Sequence, residues 1–115
     1  MNWIKLTTLE QLNQIKEESK THPVLIFKHS TSCSISRASL DRLERNWNPE
    51  ETGKLKTYFL DLLSYRDISN AIATQFSVPH QSPQVLLIED GKSVNDWSHF
   101  DINYKEIKNQ LPQFN

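Results

Sequence analysis

Two four-residue apolar runs constrain this chain more than any other feature: VLIF at 24–27 and VLLI at 85–88. Each is short, continuous and rich in strand formers. Strands covered on both faces read this way, because neither side of the pleat meets water. A parallel or mixed sheet with helices on both faces is therefore expected. The intervening segments agree. Thr8 and Gln11 have capping-box spacing, and Leu9, Leu12 and Ile15 follow on one helical face. His22-Pro23 ends that helix. After VLIF and a polar HSTS comes a helix from about residue 33 to 47, with Ile35, Leu40, Leu43 and Trp47 at helical spacing, closed by Asn48-Pro49. KTYFLDL (56–62) reads as a second strand. Ser64 with Asp67 predicts a capped helix start, and Tyr65, Ile68, Ile72 and Phe76 form its apolar stripe. VLLI is the third strand, Asp90-Gly91 a hairpin turn, and 93–98 the returning fourth strand. Asn103 and Glu106 open a last helix carrying Tyr104, Ile107 and Leu111. The first two strands, joined through a helix, should be parallel by a right-handed crossover. The fold class predicted is α/β: a mixed four-stranded sheet flanked by helices.

A chain of 115 residues suits one domain, expected over 1–115, and can bury a core without disulfides or metals. Hydrophobic content of 37% against 23% charged places it among globular rather than disordered chains. The net charge of −1, with no basic stripe, makes nucleic acid and anionic membrane unexpected partners. MNWIKLTTLEQ lacks the pattern of a signal peptide, and no apolar run approaches the roughly 18 residues that span a bilayer. A single cysteine cannot close an internal disulfide, so a reducing cytoplasmic setting is expected. With two glycines, the chain has no phosphate-cradling loop.

That cysteine, Cys33, follows a buried strand and starts a helix. Helix N-termini present unpaired N–H groups and a partial positive charge. Both favour thiolate over thiol, and thiolate is the nucleophile in thiol–disulfide exchange. Ser36, one turn on, could place its hydroxyl on the same face and donate to the sulfur. Lys28 and Arg37 could add positive potential, and His29 is a lesser candidate as proton carrier. A lone cysteine is more ordinarily a small buried residue. Here the polar neighbours Ser32 and Ser34 and the strand-to-helix junction favour a reactive thiol. A second feature is SPQVLLI (82–88), where Pro83 lies just ahead of a strand. X-Pro bonds adopt cis far more readily than others. A cis bond there would leave the Ser82 backbone unpaired for an extended thiol substrate. A strand-start proline without a role is the more ordinary reading.

Together these residues resemble a family. The element order, Cys-x-x-Ser at a strand–helix junction and a proline before the third core strand look like the thioredoxin fold. More narrowly, HSTSCSIS (29–36) resembles the Thr-Ser-Cys-Pro-Ile-Ser stretch of the monothiol bacilliredoxins, the YtxJ-type proteins of bacteria that use bacillithiol. The likeness runs from Trp3 through SPQVLLI and GKSVNDWSHF. It implies that Cys33 attacks a protein–bacillithiol mixed disulfide and takes the bacillithiol onto itself. Ser36 would occupy the place of a resolving cysteine, so no internal disulfide can form. Pro83 would be the cis-proline facing Cys33, with Ser82 offering backbone contacts. Ser34 departs from the family pattern, which commonly has proline there; the change should shift reactivity without abolishing it. Thioredoxin itself differs at two places, where this chain has Ser32 and Phe27 in place of a tryptophan and a carboxylate. A carboxylate that helps deprotonate a resolving thiol is not needed where no such thiol exists.

A monothiol site forms a mixed disulfide and waits for a second molecule. The implied co-substrate is bacillithiol, the implied partners are S-bacillithiolated proteins, and a monomer is expected. No cofactor is expected to be built in. Lys28, Arg37 and the Ser82-Pro83 backbone are the candidate contacts to the small thiol. His22, His29, His80 and His99 show no metal-ligand spacing, and structural histidines are expected. Trp3, Trp47 and Trp97 read as packing residues. Asp61 reads as a solvated strand end, and Glu44, Glu50 and Glu51 as a helix-end surface. Two rival readings stay open: an adaptor that keeps the fold without turnover, and a redox sensor thiolated at Cys33.

Overall fold

A computed structural model describes residues 1–111, so the last four positions of the expected 1–115 domain lie outside the described residues. In chain order the elements are β1 (Ile4–Lys5), α1 (Glu10–Glu18), β2 (Val24–His29), α2 (Ser34–Asn46), α3 (Pro49–Thr52) and β3 (Lys56–Asp61). There follow α4 (Arg66–Gln75), β4 (Gln84–Glu89), β5 (Lys92–Ser98), a short 3-10 helix (His99–Asp101) and α5 (Tyr104–Gln110). The sheet order is β1-β3-β2-β4-β5. β2 lies parallel to β3 and antiparallel to β4, so it occupies the centre of the sheet. The sheet has five strands, not four. The addition, β1, pairs parallel with β3 through only Ile4 and Lys5, too few residues to show a period of two.

Every residue of β2 is buried, as a centrally placed strand requires. Alternation then divides the core in two. Val24 and Ile26, with Leu86 and Ile88 of β4, face α1 and α4. Leu25 and Phe27, with Val85 and Leu87, face α2 and α5. Burying each such side chain contributes about 1.5–3 kcal/mol before the chain-entropy cost. The Thr8–Gln11 capping box forms: Thr8 N–H donates to Gln11 Oε1 at 3.0 Å, and Gln11 N–H donates to Thr8 Oγ1 at 3.4 Å. Asn103 likewise caps α5, accepting from Glu106 N–H at 3.2 Å. The capping box expected at Ser64 and Asp67 does not form. Ser64 Oγ donates instead to Asp61 Oδ2 at 2.9 Å, and Tyr65 precedes the helix without a side-chain cap. The Asp90-Gly91 turn forms with positive φ at both residues, 51° and 75°, as a two-residue hairpin needs.

The helix α2 shows a second difference. Its most buried side chains are Ser36, Ser39 and Leu43, not the larger apolar residues between them. Small side chains on that face let the helix sit close to β2. Leu40 and Trp47 pack partly buried at the side of the same core. The tryptophans are packing residues, as expected: Trp97 Nε1 donates to Glu106 at 3.0 Å and Trp3 Nε1 to Glu44 at 2.9 Å. The acidic group after α2 is more engaged than a free surface. Glu51 pairs with Lys108 at 3.0 Å and accepts from Tyr104 OH at 2.9 Å.

Candidate functional site

At the end of β2 the chain makes one tight turn before α2. Ser30 C=O accepts from Cys33 N–H at 3.2 Å, and Cys33 C=O accepts from Arg37 N–H at 3.2 Å. Cys33 is thus the residue that opens the helix, with extended backbone angles of φ −109° and ψ 118°. It makes no side-chain capping bond, and its thiol is free and half-buried. Local sequence explains the start: serines at 32, 34 and 36 compete well for turn and cap positions and poorly for strand.

Ser36 does not serve the sulfur. Its side chain is fully buried, with Oγ 2.6 Å from His29 Nδ1 and accepting from Ser30 N–H at 3.1 Å. Ser36 Oγ therefore has two partners, the Ser30 amide and the His29 ring, whichever imidazole tautomer is present, and no hydrogen bond joins it to Cys33 among the described residues. The donation to sulfur expected of Ser36 is thereby corrected. Positions 36, 39 and 43 turn toward the sheet, whereas Cys33 lies at the helix mouth. Burial pushes the His29 pKa down; Asp61 opposes this, Arg37 adds to it and Glu44 opposes it. The ring also meets Phe59 at 5.3 Å and Phe27 at 6.1 Å between centroids. Asp61, expected to be solvated, is partly buried beside His29 in the ladder. Its Oδ1 has no partner among the described residues.

Lys28 is likewise corrected. Strand alternation turns it to the α4 side of the sheet, away from α2, and it exposes 0% of its surface. Its Nζ lies 2.7 Å from His80 Nδ1, and burial pushes its pKa down to about 8. A lysine sealed in this way does not present its ammonium to a bound small thiol. Arg37, by contrast, is exposed.

The segment before β4 leaves the sheet at the same end as the cysteine loop, because Gln84 pairs with Lys28 in the ladder. The Ser82-Pro83 peptide bond is cis. Ser82 N–H and C=O take no backbone partner among the described residues, whereas Pro83 C=O accepts from His99 N–H at 3.0 Å. Ser39 Oγ of α2 donates to His99 C=O at 3.2 Å, which ties the cysteine helix to the same corner. Cys33, Arg37, Ser82 and Pro83 therefore sit on loops and a helix gathered at one end of the sheet. Lys28 and Ser36 lie beneath.

Structural histidines were expected, but the partners of His29 and His80, and the burial of Asp61, were missed from sequence. A usable signal existed. A strand covered on both faces has no solvent side, so polar residues at its end must find buried partners. Among the described residues no cluster of three His, Cys, Asp or Glu side chains is placed to hold a metal. None of the described helices is long and apolar enough to cross a membrane.

The mixed sheet flanked by helices, with a free thiol at a helix mouth, defines a thioredoxin fold, and comparison bears the fold out. A solved structure described as a candidate oxidoreductase with a thioredoxin fold matches with a TM-score of 0.78 and 32% identity, over 92% of this chain and 90% of that one. Thioredoxin O2 of Arabidopsis thaliana matches with a TM-score of 0.73 at 17% identity, over 95% and 93%. Fasciola hepatica thioredoxin matches with 0.67 at 20% identity, over 91% and 92%. These last two share the fold. The family model described as Monothiol bacilliredoxin BrxC matches residues 4–107, and the chain belongs to that family. It is a thiol-redox protein of the thiol–disulfide oxidoreductase kind.

Proposed function

We propose that the protein removes bacillithiol from proteins that carry it as a mixed disulfide, using Cys33 alone. The observation that carries this reading is a single free thiol opening a helix, with a serine rather than a second thiol one turn later. Cys33 thiolate attacks the bacillithiol sulfur. The client's disulfide bond breaks, and the client's sulfur leaves as thiolate and takes a proton from solvent. A new disulfide joins Cys33 to bacillithiol. The thiolate of a second bacillithiol then attacks the bound bacillithiol sulfur, releasing Cys33 as thiolate and bacillithiol disulfide as the oxidised product. No internal resolution competes, because position 36 holds oxygen. Arg37 is the cation reachable by an anionic small thiol, and the unpaired Ser82 backbone is the edge with which an extended substrate pairs. We place the protein in the reducing cytoplasm, as a monomer.

The test is mass spectrometry of the protein after exposure to oxidised bacillithiol and, separately, oxidised glutathione, followed by turnover of a bacillithiolated client. The expected result is preferential adduction at Cys33 by bacillithiol and loss of client turnover in Cys33→Ser. Turnover retained by Cys33→Ser would overturn the mechanism. An adduct without turnover would make the chain a redox sensor instead.

A further inference from the structure

We propose that Lys28 and His80 are positioning residues: a clasp between the sheet and the loop at 79–83 that holds the Ser82 backbone where a substrate pairs with it. This rests on the thiol-exchange reading just given. Lys28 is sealed in the core on the face away from Cys33, so its charge does not act at the thiol directly. A buried ammonium is costly unless it is partnered. Among the described residues its one hydrogen-bond partner is His80 Nδ1, at 2.7 Å. Ser69 Oγ of α4 approaches the same nitrogen at 3.4 Å.

His80 itself is exposed and lies over the lysine as a lid. The loop is held at both ends as well. Pro79 C=O accepts from Gln84 Nε2 at 3.0 Å, and Pro83 C=O accepts from His99 N–H at 3.0 Å. Only Gln81 and Ser82 lie between the His80 attachment and Pro83. The backbone left without partners is thus a short span stretched between anchors. The Lys28–His80 bond is the anchor that ties it to the central strand β2.

The variants Lys28→Met, His80→Leu and His80→Asn separate positioning from bulk stability. Asparagine keeps an acceptor at the place of Nδ1; leucine removes it. In Lys28→Met and His80→Leu, the backbone 15N order parameters at residues 80–82 should fall from the rigid range near about 0.85 to below about 0.6. KM for a bacillithiolated client should rise by about tenfold with kcat held within about twofold. Alkylation of Cys33 by iodoacetamide should not change. His80→Asn should recover most of both effects. Unchanged order parameters at 80–82 in both variants, or alkylation slowed in step with KM, would overturn the clasp. If no client is turned over by the unaltered protein, the functional reading fails alone, and the order parameters at 80–82 still decide the clasp.

Discussion

Lys28 and His29 are consecutive residues of one strand, both buried, and they point to opposite faces of the sheet. His29 meets a hydroxyl that is itself bonded to Ser30 N–H, so this contact on the cysteine side joins groups that are all partnered through the Ser36 oxygen. Lys28 meets a histidine and no carboxylate. One pair is a satisfied polar contact, which adds stability. The other keeps a cation in the core against its desolvation. The cysteine turn is therefore expected to rest on a stabilising contact, and the loop before β4 on one that costs stability.

The largest expected effect breaks the stabilising side. Ser36→Ala leaves His29 Nδ1 and Ser30 N–H without partners, and should cost about 3 kcal/mol of unfolding free energy. Urea unfolding measures it. Client turnover by the folded fraction should stay largely intact, since Ser36 does not touch the sulfur. The opposite sign is expected across the strand. Lys28→Met should raise stability at pH 7 by about 2 kcal/mol, because an apolar side chain of similar length replaces an unneutralised buried charge.

The pH dependence of that gain follows from the pKa of Lys28, lowered to about 8 from 10.5. Between those values the unfolded chain holds a proton that the folded chain has released, so stability rises with pH. The advantage of Lys28→Met should therefore shrink from pH 8 upward and vanish by 10.5. A gain that stayed constant over this window would contradict the assignment of the buried charge.

A smaller effect lies at acid pH. His29 and His80 are both held below the ordinary 6.5, chiefly by burial. As pH falls through that value, the unfolded chain takes up protons that the folded chain refuses, and stability drops. His29→Asn should flatten this acid slope more than His80→Asn, since His29 is buried and His80 exposed. Smallest of all, Asp61→Asn removes the carboxylate that raises the His29 pKa. The ring's titration, followed by NMR, should move lower still, with stability changed by no more than about 0.5 kcal/mol.

The core of this fold was readable because continuous apolar strands and an Asp-Gly turn leave few arrangements. VLIF became the central strand, VLLI its antiparallel neighbour, and Asp90-Gly91 the turn between β4 and β5. The edge strand Ile4–Lys5 was not readable, since two residues carry no periodicity. Cys33 at the start of α2 followed from polar residues after a buried strand. What its neighbours do did not follow. Ser36 and Lys28 read as groups beside the thiol, from helical spacing and from a place at the strand end. Both are buried because β2 is covered on both faces and α2 approaches it closely. That is a tertiary constraint, felt only once the sheet order is known.

The bond between Ser36 and His29 also bears on how such a protein could change over generations. Introducing a second thiol takes a single substitution, Ser36→Cys. Sulfur is a weaker donor and acceptor than oxygen. The same change would loosen the hold on the Ser30 amide and the buried ring. A two-thiol site would thus begin from a less stable chain, and the buried bond itself holds position 36 to oxygen.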